Sequence, residues 1–228
     1  MNIKLYYDLM SQPSRSLYIL LKSVNCNFEP KYVDLRKAEH YSEEFSKVNR
    51  IQRVPVIDHD GFILSESVAI IKYLARENII PEKLYPRDSK LQARVDEFLE
   101  WHHIGLRLHC AMYTRVMFLD PVLDKSRKQD PKTAANYKGR MMDALETFDT
   151  KWLGQGREFI AGNTLTVADL FAASELEQPR LADFNPMQEF PAIGAWAQKV
   201  RAYFNPHYDE AHVIVNKIVD KRKLAAKL

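Results

Sequence analysis

The first eighty residues of the chain mix strand-like and helix-like patterns of apolar positions. In the segment IKLYYDL, the side chains of Ile3, Leu5 and Tyr7 fall on one side of an extended chain, which predicts a strand over residues 3–9. A helical repeat follows from Pro13 to about residue 24, with proline near the start, where its missing N–H costs nothing.

The rest of this region continues the alternation of strands and helices. We expect a strand over residues 28–35, a short polar helix around 42–47, two strands on either side of a turn at Asp60-Gly61, and a helix over 66–76. The predicted order is β-α-β-α-β-β-α, an α/β arrangement.

A segment with two prolines and no periodicity, NIIPEKLYP, separates this region from a purely helical one. We therefore expect an α/β domain at residues 1–78, a linker at 79–87 and an all-helical domain at 88–228. The helices of the second domain are predicted at 88–118, 133–153, 167–177, 192–204 and 208–223, with a loop at 120–132.

The segment NTLTVADL contains a local signal for the start of a helix. Thr166 and Asp169 have the spacing of a capping box, with Leu165 and Leu170 placed as a hydrophobic staple. Because capping explains both polar residues, we expect Asp169 to serve folding and not acid–base catalysis.

Composition excludes several classes of protein. Apolar residues make up 46% of the 228 residues and charged residues 28%, no run of eighteen apolar residues occurs, and no basic and then apolar leader follows Met1. We expect a soluble, cytoplasmic protein. The two cysteines form no CxxC pair and are too few for a disulfide framework.

The net charge of +3 is concentrated in a basic end at residues 217–227. The remainder of the chain is close to electrical balance, which argues against nucleic-acid binding. A short basic helix end usually complements its own dipole in solvent, so we also expect no stable membrane association.

Hydroxyl groups crowd the junction YYDLMSQPSRS. Ser11 lies between the predicted strand and the helix that begins at Gln12 or Pro13, where its hydroxyl can either cap the helix or face a ligand. The hydroxyls of Tyr6 and Tyr7 are the other candidates for a ligand contact, although aromatic side chains in strands are usually packing residues.

Several segments together resemble the cytosolic glutathione S-transferases, and within them the theta class. They are DLMSQPSRSLYI, VDLRKAEHYSEEF, VNRIQRVPVIDHDGFILSESVAIIKYLARE, WHHIGLR and TVADL. The resemblance covers nearly the whole chain. It implies a thioredoxin-like N-terminal domain, an all-helical C-terminal domain, a homodimer, and glutathione as a co-substrate, with no tightly bound cofactor.

The resemblance assigns glutathione contacts to the first domain. Ser11 is implied as the catalytic residue that stabilises the glutathione thiolate. Val54 is implied to bind the cysteinyl part through its backbone beside a cis Pro55, and Glu66 and Ser67 the γ-glutamyl part.

Two further residues match positions that contact the glycyl end of glutathione, His40 and Arg53. A cation and a hydrogen-bond donor suit that carboxylate. Tyr41 stands where the family pattern leads one to expect a lysine, so one charge contact is absent.

The resemblance implies Arg15, His103 and Arg107 as candidate contacts to the second substrate. A surface salt bridge is the alternative for Arg15, and a helix salt bridge is the alternative for Arg107. The spacing of the neighbouring histidines does not match an HxxxH pattern, and we expect no metal site.

The resemblance implies conjugation of glutathione to small apolar electrophiles in detoxification, such as alkyl halides and sulfate esters, with the reduction of peroxides as a further activity. The alternative is a non-catalytic ligand carrier, or a transferase-like scaffold, that uses the same cleft.

Overall fold

A computed structural model describes residues 2–126, 130–154 and 156–225. The chain forms two compact units. The first runs to Pro86 and also includes Phe204–Ile214, and the second contains Arg87–Tyr203 and continues from Val215.

The first unit has the predicted order of elements around a four-stranded sheet. The elements are β1 (Ile3–Tyr7), α1 (Gln12–Ser23), β2 (Phe28–Tyr32), α2 (Glu43–Val48), β3 (Val56–His59), β4 (Phe62–Ser65) and α3 (Ser67–Arg76). The strand order is β2-β1-β3-β4, in which β1 is parallel to β2 and antiparallel to β3, and β3 is antiparallel to β4. This is the thioredoxin-like arrangement.

Both faces of β1 contribute to packing. Ile3 and Leu5 are fully buried, while Tyr6, which alternation places on the opposite face, packs edge-on against Phe45 of α2 with a centroid separation of 6.3 Å. Helices α1 and α3 contact each other. The sheet is therefore an internal layer.

Two strands are shorter than predicted, because aspartate side chains start turns early. The Asp8 carboxylate accepts from the N–H of Met10 at 2.8 Å, so β1 ends at Tyr7 and not at residue 9. Asp34 accepts from the N–H groups of Arg36 and Lys37, which begins a 3₁₀ turn where β2 was expected to continue to residue 35.

The second unit is helical in its described parts. Its α-helices are α4 (Ser89–His102), α5 (Leu108–Thr114), α6 (Asp120–Leu123), α7 (Pro131–Thr147), α8 (Val167–Leu176), α9 (Pro186–Glu189), α10 (Pro191–Phe204) and α11 (His207–Ala225), of which α10 ends, and α11 begins, in the part grouped with the first unit. A 3₁₀ turn at Gln178–Ala182 and helix α9 were not predicted.

The helix that follows the linker is interrupted by two π turns. His103–Arg107 and Arg115–Leu119 join α4, α5 and α6 into one continuous helical path from Ser89 to Leu123. The loop predicted from residue 120 is therefore wrong at its start, and its part at 127–129 lies outside the described residues. Single π turns are often found at functional sites.

Aromatic rings form the centre of the second unit. Phe98 contacts Trp152 edge-on with ring centroids 5.0 Å apart, and Phe148 contacts Trp196 at 5.2 Å. Because aromatic pairs add about 0.5–1.5 kcal/mol beyond the area they bury, this cluster ties three helical segments together.

The predicted capping box is confirmed at the start of α8. The Asp169 carboxylate accepts from the N–H of Thr166 at 2.9 Å, and its other oxygen accepts from the N–H of Ile160 and the indole N–H of Trp196. Asp169 is fully buried. Its carboxylate thus joins a loop, α8 and α10, which is the structural role expected from the sequence.

The segment Phe204–Ile214 is grouped with the first unit, whereas the sequence placed everything after residue 88 in the helical domain. The hydroxyl of Tyr18 in α1 donates to the Glu210 carboxylate in α11 at 2.6 Å. A hydrogen bond between residues so far apart in sequence leaves no periodic signal.

No helix in the described ranges combines the length and apolarity needed to cross a bilayer.

Replacing Asp169 by alanine should lower the free energy of unfolding by about 3 kcal/mol or more, because the buried N–H groups of Ile160, Thr166 and Trp196 lose their acceptor. Asp130→Ala is the matched control. Asp130 caps α7 at an exposed position, and its loss should cost clearly less than the loss of Asp169. Urea unfolding measures both changes, and equal losses would contradict the structural role of Asp169.

Candidate functional site

The register of the sheet brings the segments that contain the predicted glutathione contacts to one end of the sheet. Tyr6 pairs with Val56, Tyr7 with Tyr32, and Val56 with Ser65. The residues after β1, after β2, before β3 and after β4 therefore all leave the sheet at the same end. These segments contain Ser11, His40, Val54, Pro55, Glu66 and Ser67.

Ser11 occupies the N-cap of α1 without capping it through its side chain. Its backbone is extended (φ −84°, ψ 124°) and its hydroxyl makes no cap hydrogen bond. The cap is built from the backbone, because the Ser11 carbonyl accepts from the N–H of Arg15 at 3.0 Å. The simple alternative to a ligand-binding role, a side-chain helix cap, is therefore absent.

Asp8 and Arg15 hold the turn that precedes Ser11. Asp8 is fully buried, and its carboxylate accepts from the N–H groups of Met10 at 2.8 Å and Leu35 at 3.0 Å. The Arg15 guanidinium donates to the carbonyl of Leu9 at 2.8 Å. The turn is thus fixed from both sides, which limits the positions open to the Ser11 hydroxyl.

Arg15 has a different place from the electrophile contact that the resemblance implied. Its side chain is fully buried, and its Nη1 atom donates to the carbonyls of Leu9 and Met10. A buried guanidinium that satisfies backbone carbonyls supports the turn, so we count Arg15 with the scaffold of the site.

The peptide bond between Val54 and Pro55 is cis, as the resemblance implied. The Asn49 amide donates to the carbonyl of Arg53 at 2.8 Å, and its oxygen accepts from the N–H of Ile51, which orders the loop before β3. Among the described residues the N–H and C=O of Val54 make no backbone hydrogen bond. They are available to a ligand peptide.

Glu66 and Ser67 form the start of α3. Glu66 has a positive φ of 69°, a conformation that costs a residue with a side chain about 1–3 kcal/mol and that is concentrated at ligand-binding positions. Neither of the two side chains has a hydrogen-bond partner among the described residues, and Ser67 is buried. Both side chains therefore keep their hydrogen-bonding capacity for solvent or for a ligand.

His40 and Arg53 lie close enough to interact electrostatically. Burial, assisted by the charge of Arg53, lowers the pKa of His40, so the imidazole is neutral near pH 7. The Nδ1 atom of His40 is buried without a hydrogen-bond partner in the described part of the chain, whereas the neighbouring Tyr41 is exposed.

The two strand tyrosines are packing residues. Tyr7 stacks on Tyr18 with ring centroids 5.5 Å apart, and burial raises its pKa. Tyr6 packs with the cluster of Val33, Phe45 and Val56. The raised pKa makes the Tyr7 hydroxyl a weaker hydrogen-bond donor to a thiolate.

Two helix N-termini meet this edge of the sheet. α1 has no acidic residue at its N-cap or in its first turn, so its positive end keeps its charge for a ligand. The first turn of α3 also contains no acidic residue, but its N-cap residue is Glu66, whose carboxylate lies beside that helix end. Together with the uncommitted Ser11 hydroxyl, this arrangement favours an anionic sulfur and a carboxylate.

His103 and Arg107 lie in the second unit, on the first π turn. Both are partly exposed, and the Arg107 Nε is 3.4 Å from the Glu175 carboxylate. The salt bridge that the sequence left open for Arg107 is present, between helices and not within one. In the described ranges, no group of three or more His, Cys, Asp or Glu residues is arranged to hold a metal ion.

Sequence reasoning missed Asp8, Asn49 and Glu175. The signal for Asp8 is an aspartate directly after a strand and two residues before the next exposed N–H, which is typical of an Asx turn. Asn49 makes the same kind of turn, because its side-chain oxygen accepts from the N–H of Ile51, two residues further on. The turn continues to Gln52, which has a positive φ. Glu175 had no local signal.

Family models for the glutathione S-transferase N-terminal domain and C-terminal domain match residues 1–76 and 108–203. Bovine glutathione S-transferase theta-1 is 39% identical over 97% of this chain and 92% of its own length. Human glutathione S-transferase theta-1 is 37% identical over 96% of the chain and 91% of its own length.

Solved structures show the same similarity. Apo human glutathione S-transferase T1-1 superposes with a TM-score of 0.90 at 36% identity, covering 96% of this chain and 91% of that one. A human theta-class enzyme in complex with the glutathione conjugate of 1-menaphthyl sulfate has a TM-score of 0.89 at 34% identity, over 99% and 92% of the two chains.

The chain belongs to the glutathione S-transferase family. Within that family its similarity is to the theta class, and it is a glutathione transferase.

Asp8→Asn should loosen the turn that carries Ser11. An amide accepts through only one of its two polar atoms, so either Met10 or Leu35 loses its acceptor, at a cost of about 1–3 kcal/mol. Hydrogen exchange should show reduced protection at one of these two amides. Asp60→Asn, at an exposed turn, is the control and should leave both unchanged. Unchanged protection in Asp8→Asn would contradict the role of Asp8.

Proposed function

We propose that this protein joins reduced glutathione to small electrophiles, with Ser11 as the residue that stabilises the thiolate. The observation that supports this most strongly is the Ser11 hydroxyl, which stands at the positive end of α1 without serving as a side-chain cap. A hydroxyl in that position is able to donate a hydrogen bond to sulfur.

Ionisation of the thiol is the main chemical requirement. A thiol with a pKa of about 8.5 is only about 3% ionised at pH 7, and a reduction of about 2 units raises that fraction to about three-quarters. The hydroxyl donor and the α1 dipole together supply this preference for the charged form.

The remaining contacts orient glutathione. The Val54 backbone beside cis Pro55 pairs with the cysteinyl peptide, and Glu66 and Ser67 bind the γ-glutamyl ammonium and carboxylate at the start of α3. His40 and Arg53 bind the glycyl carboxylate. The exposed Tyr41 adds no charge there.

The reaction is a nucleophilic displacement. The thiolate forms a bond to an electrophilic carbon, the bond from that carbon to a halide or sulfate breaks, and the leaving group departs with the electron pair; the thiol proton has already gone to solvent. Arg107 and His103 act on the side of the electrophile, and Arg107 stabilises charge on the leaving group. Peroxides are a further substrate class.

Rate enhancement comes from adjusting the thiol pKa and from proximity. No tightly bound cofactor is required. The physiological role in this proposal is detoxification in the cytoplasm.

The assembly proposed is a homodimer, in line with the family. In solution, light scattering should give twice the 26.6 kDa mass of the chain. A mass of one chain at micromolar concentration would contradict the dimer and leave the proposed chemistry untouched.

Ser11→Ala should reduce turnover of an alkyl halide at pH 7 by several-fold and at most by about 25-fold, which is the ratio of the ionised thiol fractions with and without the whole shift of about 2 units; the α1 dipole remains in the variant and keeps part of that shift. Because removal of the hydroxyl raises the thiol pKa, the pH–rate curve should move to higher pH. At pH 9.5 the deficit should shrink to less than about twofold, since both thiols are then ionised.

Ser14→Ala is the matched control, because Ser14 is a buried serine within α1. It should leave the pH–rate curve in place. Full turnover in Ser11→Ala together with loss in Tyr6→Phe would overturn the assignment of Ser11. If the unaltered protein binds no glutathione, the ligand carrier or the scaffold becomes the better account.

A further inference from the structure

A buried carboxylate lies behind Arg107. Glu175 is 1% exposed by side chain, near the end of α8, and its Oε1 atom is 3.4 Å from the Nε atom of Arg107, whose side chain is 34% exposed. The pair joins the π turn of the long helical path to α8. One member is inaccessible to solvent, and the other reaches the surface of its unit.

The contact engages one edge of the guanidinium. Among the described residues, Glu175 is the ion-pair partner of Arg107, and it is approached through Nε. The terminal nitrogens Nη1 and Nη2 present the paired donors that bind oxyanions in a bidentate manner. Glu175 therefore fixes the guanidinium from behind and leaves that edge for an anion.

The charges of the pair reach the neighbouring side chains. Burial, assisted by the charges of His103 and Arg107, lowers the pKa of His102 to about 3. Burial, assisted by the carboxylate of Glu175, raises the pKa of the Cys110 thiol. Both neighbours are neutral at pH 7.

The position of Glu175 is rigid. Every residue of α8 is buried, and the capping box at Thr166 and Asp169 fixes where the helix begins. A buried ion pair contributes little net stability in general, and replacement by apolar residues is often neutral. Its presence here needs an explanation other than stability.

We propose that Glu175 is a positioning residue that orients the Arg107 guanidinium towards the leaving group of the electrophile. The inference rests on the proposed function, which places Arg107 on the electrophile side. It adds a specificity: oxyanion leaving groups such as sulfate depend on the orientation of Arg107, whereas a monatomic halide depends on it much less, because it accepts no bidentate pair.

The test compares two substrates with one carbon skeleton, an arylmethyl sulfate and the corresponding chloride, at saturating glutathione. Glu175→Gln should lower kcat/KM for the sulfate by about 10- to 100-fold, the range expected when a catalytic group is misplaced by about 1 Å. The loss of kcat/KM for the chloride should be about threefold or less, because a halide accepts no bidentate pair of hydrogen bonds from the guanidinium.

Glu177→Gln is the matched control, because Glu177 is also buried and paired with an arginine, Arg180, but not with Arg107. Glu177→Gln should leave the ratio of kcat/KM for the sulfate to kcat/KM for the chloride unchanged. Glu175→Asp keeps the charge and should recover part of the lost sulfate activity. Should Glu175→Gln fail to fold, the same comparison is made with Glu175→Asp, where a selective loss for the sulfate is expected.

The double variant Arg107→Met with Glu175→Gln separates positioning from general damage. If Glu175 acts through Arg107, the double variant loses no more sulfate activity than Arg107→Met alone. Additive losses, or equal losses for sulfate and chloride in Glu175→Gln, would overturn the proposal.

Two other outcomes are distinguishable from each other. If Arg107→Met turns over both substrates normally, conjugation stands and the positioning role falls. If the unaltered protein binds no glutathione in a direct calorimetric titration, the proposed function itself fails, and the role of Glu175 with it.

Discussion

The pairing register of β1 determines where the candidate glutathione contacts lie. β1 is parallel to β2 and antiparallel to β3, and β3 is antiparallel to β4. The C-terminal ends of β1, β2 and β4 therefore lie at the same end of the sheet as the N-terminal end of β3. A slip of one residue would turn Ile3 and Leu5 out of the core and move Ser11 relative to Val54. The burial of apolar side chains in the sheet thus fixes the relative positions of polar groups that lie in the loops outside it.

Stability and chemistry are supplied by different residues around that edge. Asp8, Arg15 and Asn49 use their polar atoms on the backbone of the surrounding loops. Ser11 and Ser67 remain without such partners among the described residues. The same division recurs in the second unit, where Asp169 fixes α8 and α8 in turn holds Glu175 beside Arg107.

Much of this was predictable from the sequence, for identifiable reasons. The elements of the first unit, the capping box at Thr166 and Asp169, and the helical second unit depend on local periodicity and short spacings. The resemblance supplied the cis Pro55 and the family. What could not be predicted depends on side chains that meet across long separations, such as Arg107 with Glu175 and Tyr18 with Glu210. The π turns were also not predicted, because one extra residue in a helical turn barely alters the apolar repeat of the sequence.

The central claim is that the N-terminal end of α1 and the Ser11 hydroxyl keep the glutathione sulfur ionised. The most direct measurement is a pH titration of the ultraviolet absorption of the thiolate in the complex of the protein with glutathione alone, without any electrophile. The account predicts a midpoint near pH 6.5, about 2 units below that of a free thiol. A midpoint that remains near pH 8.5 would contradict it.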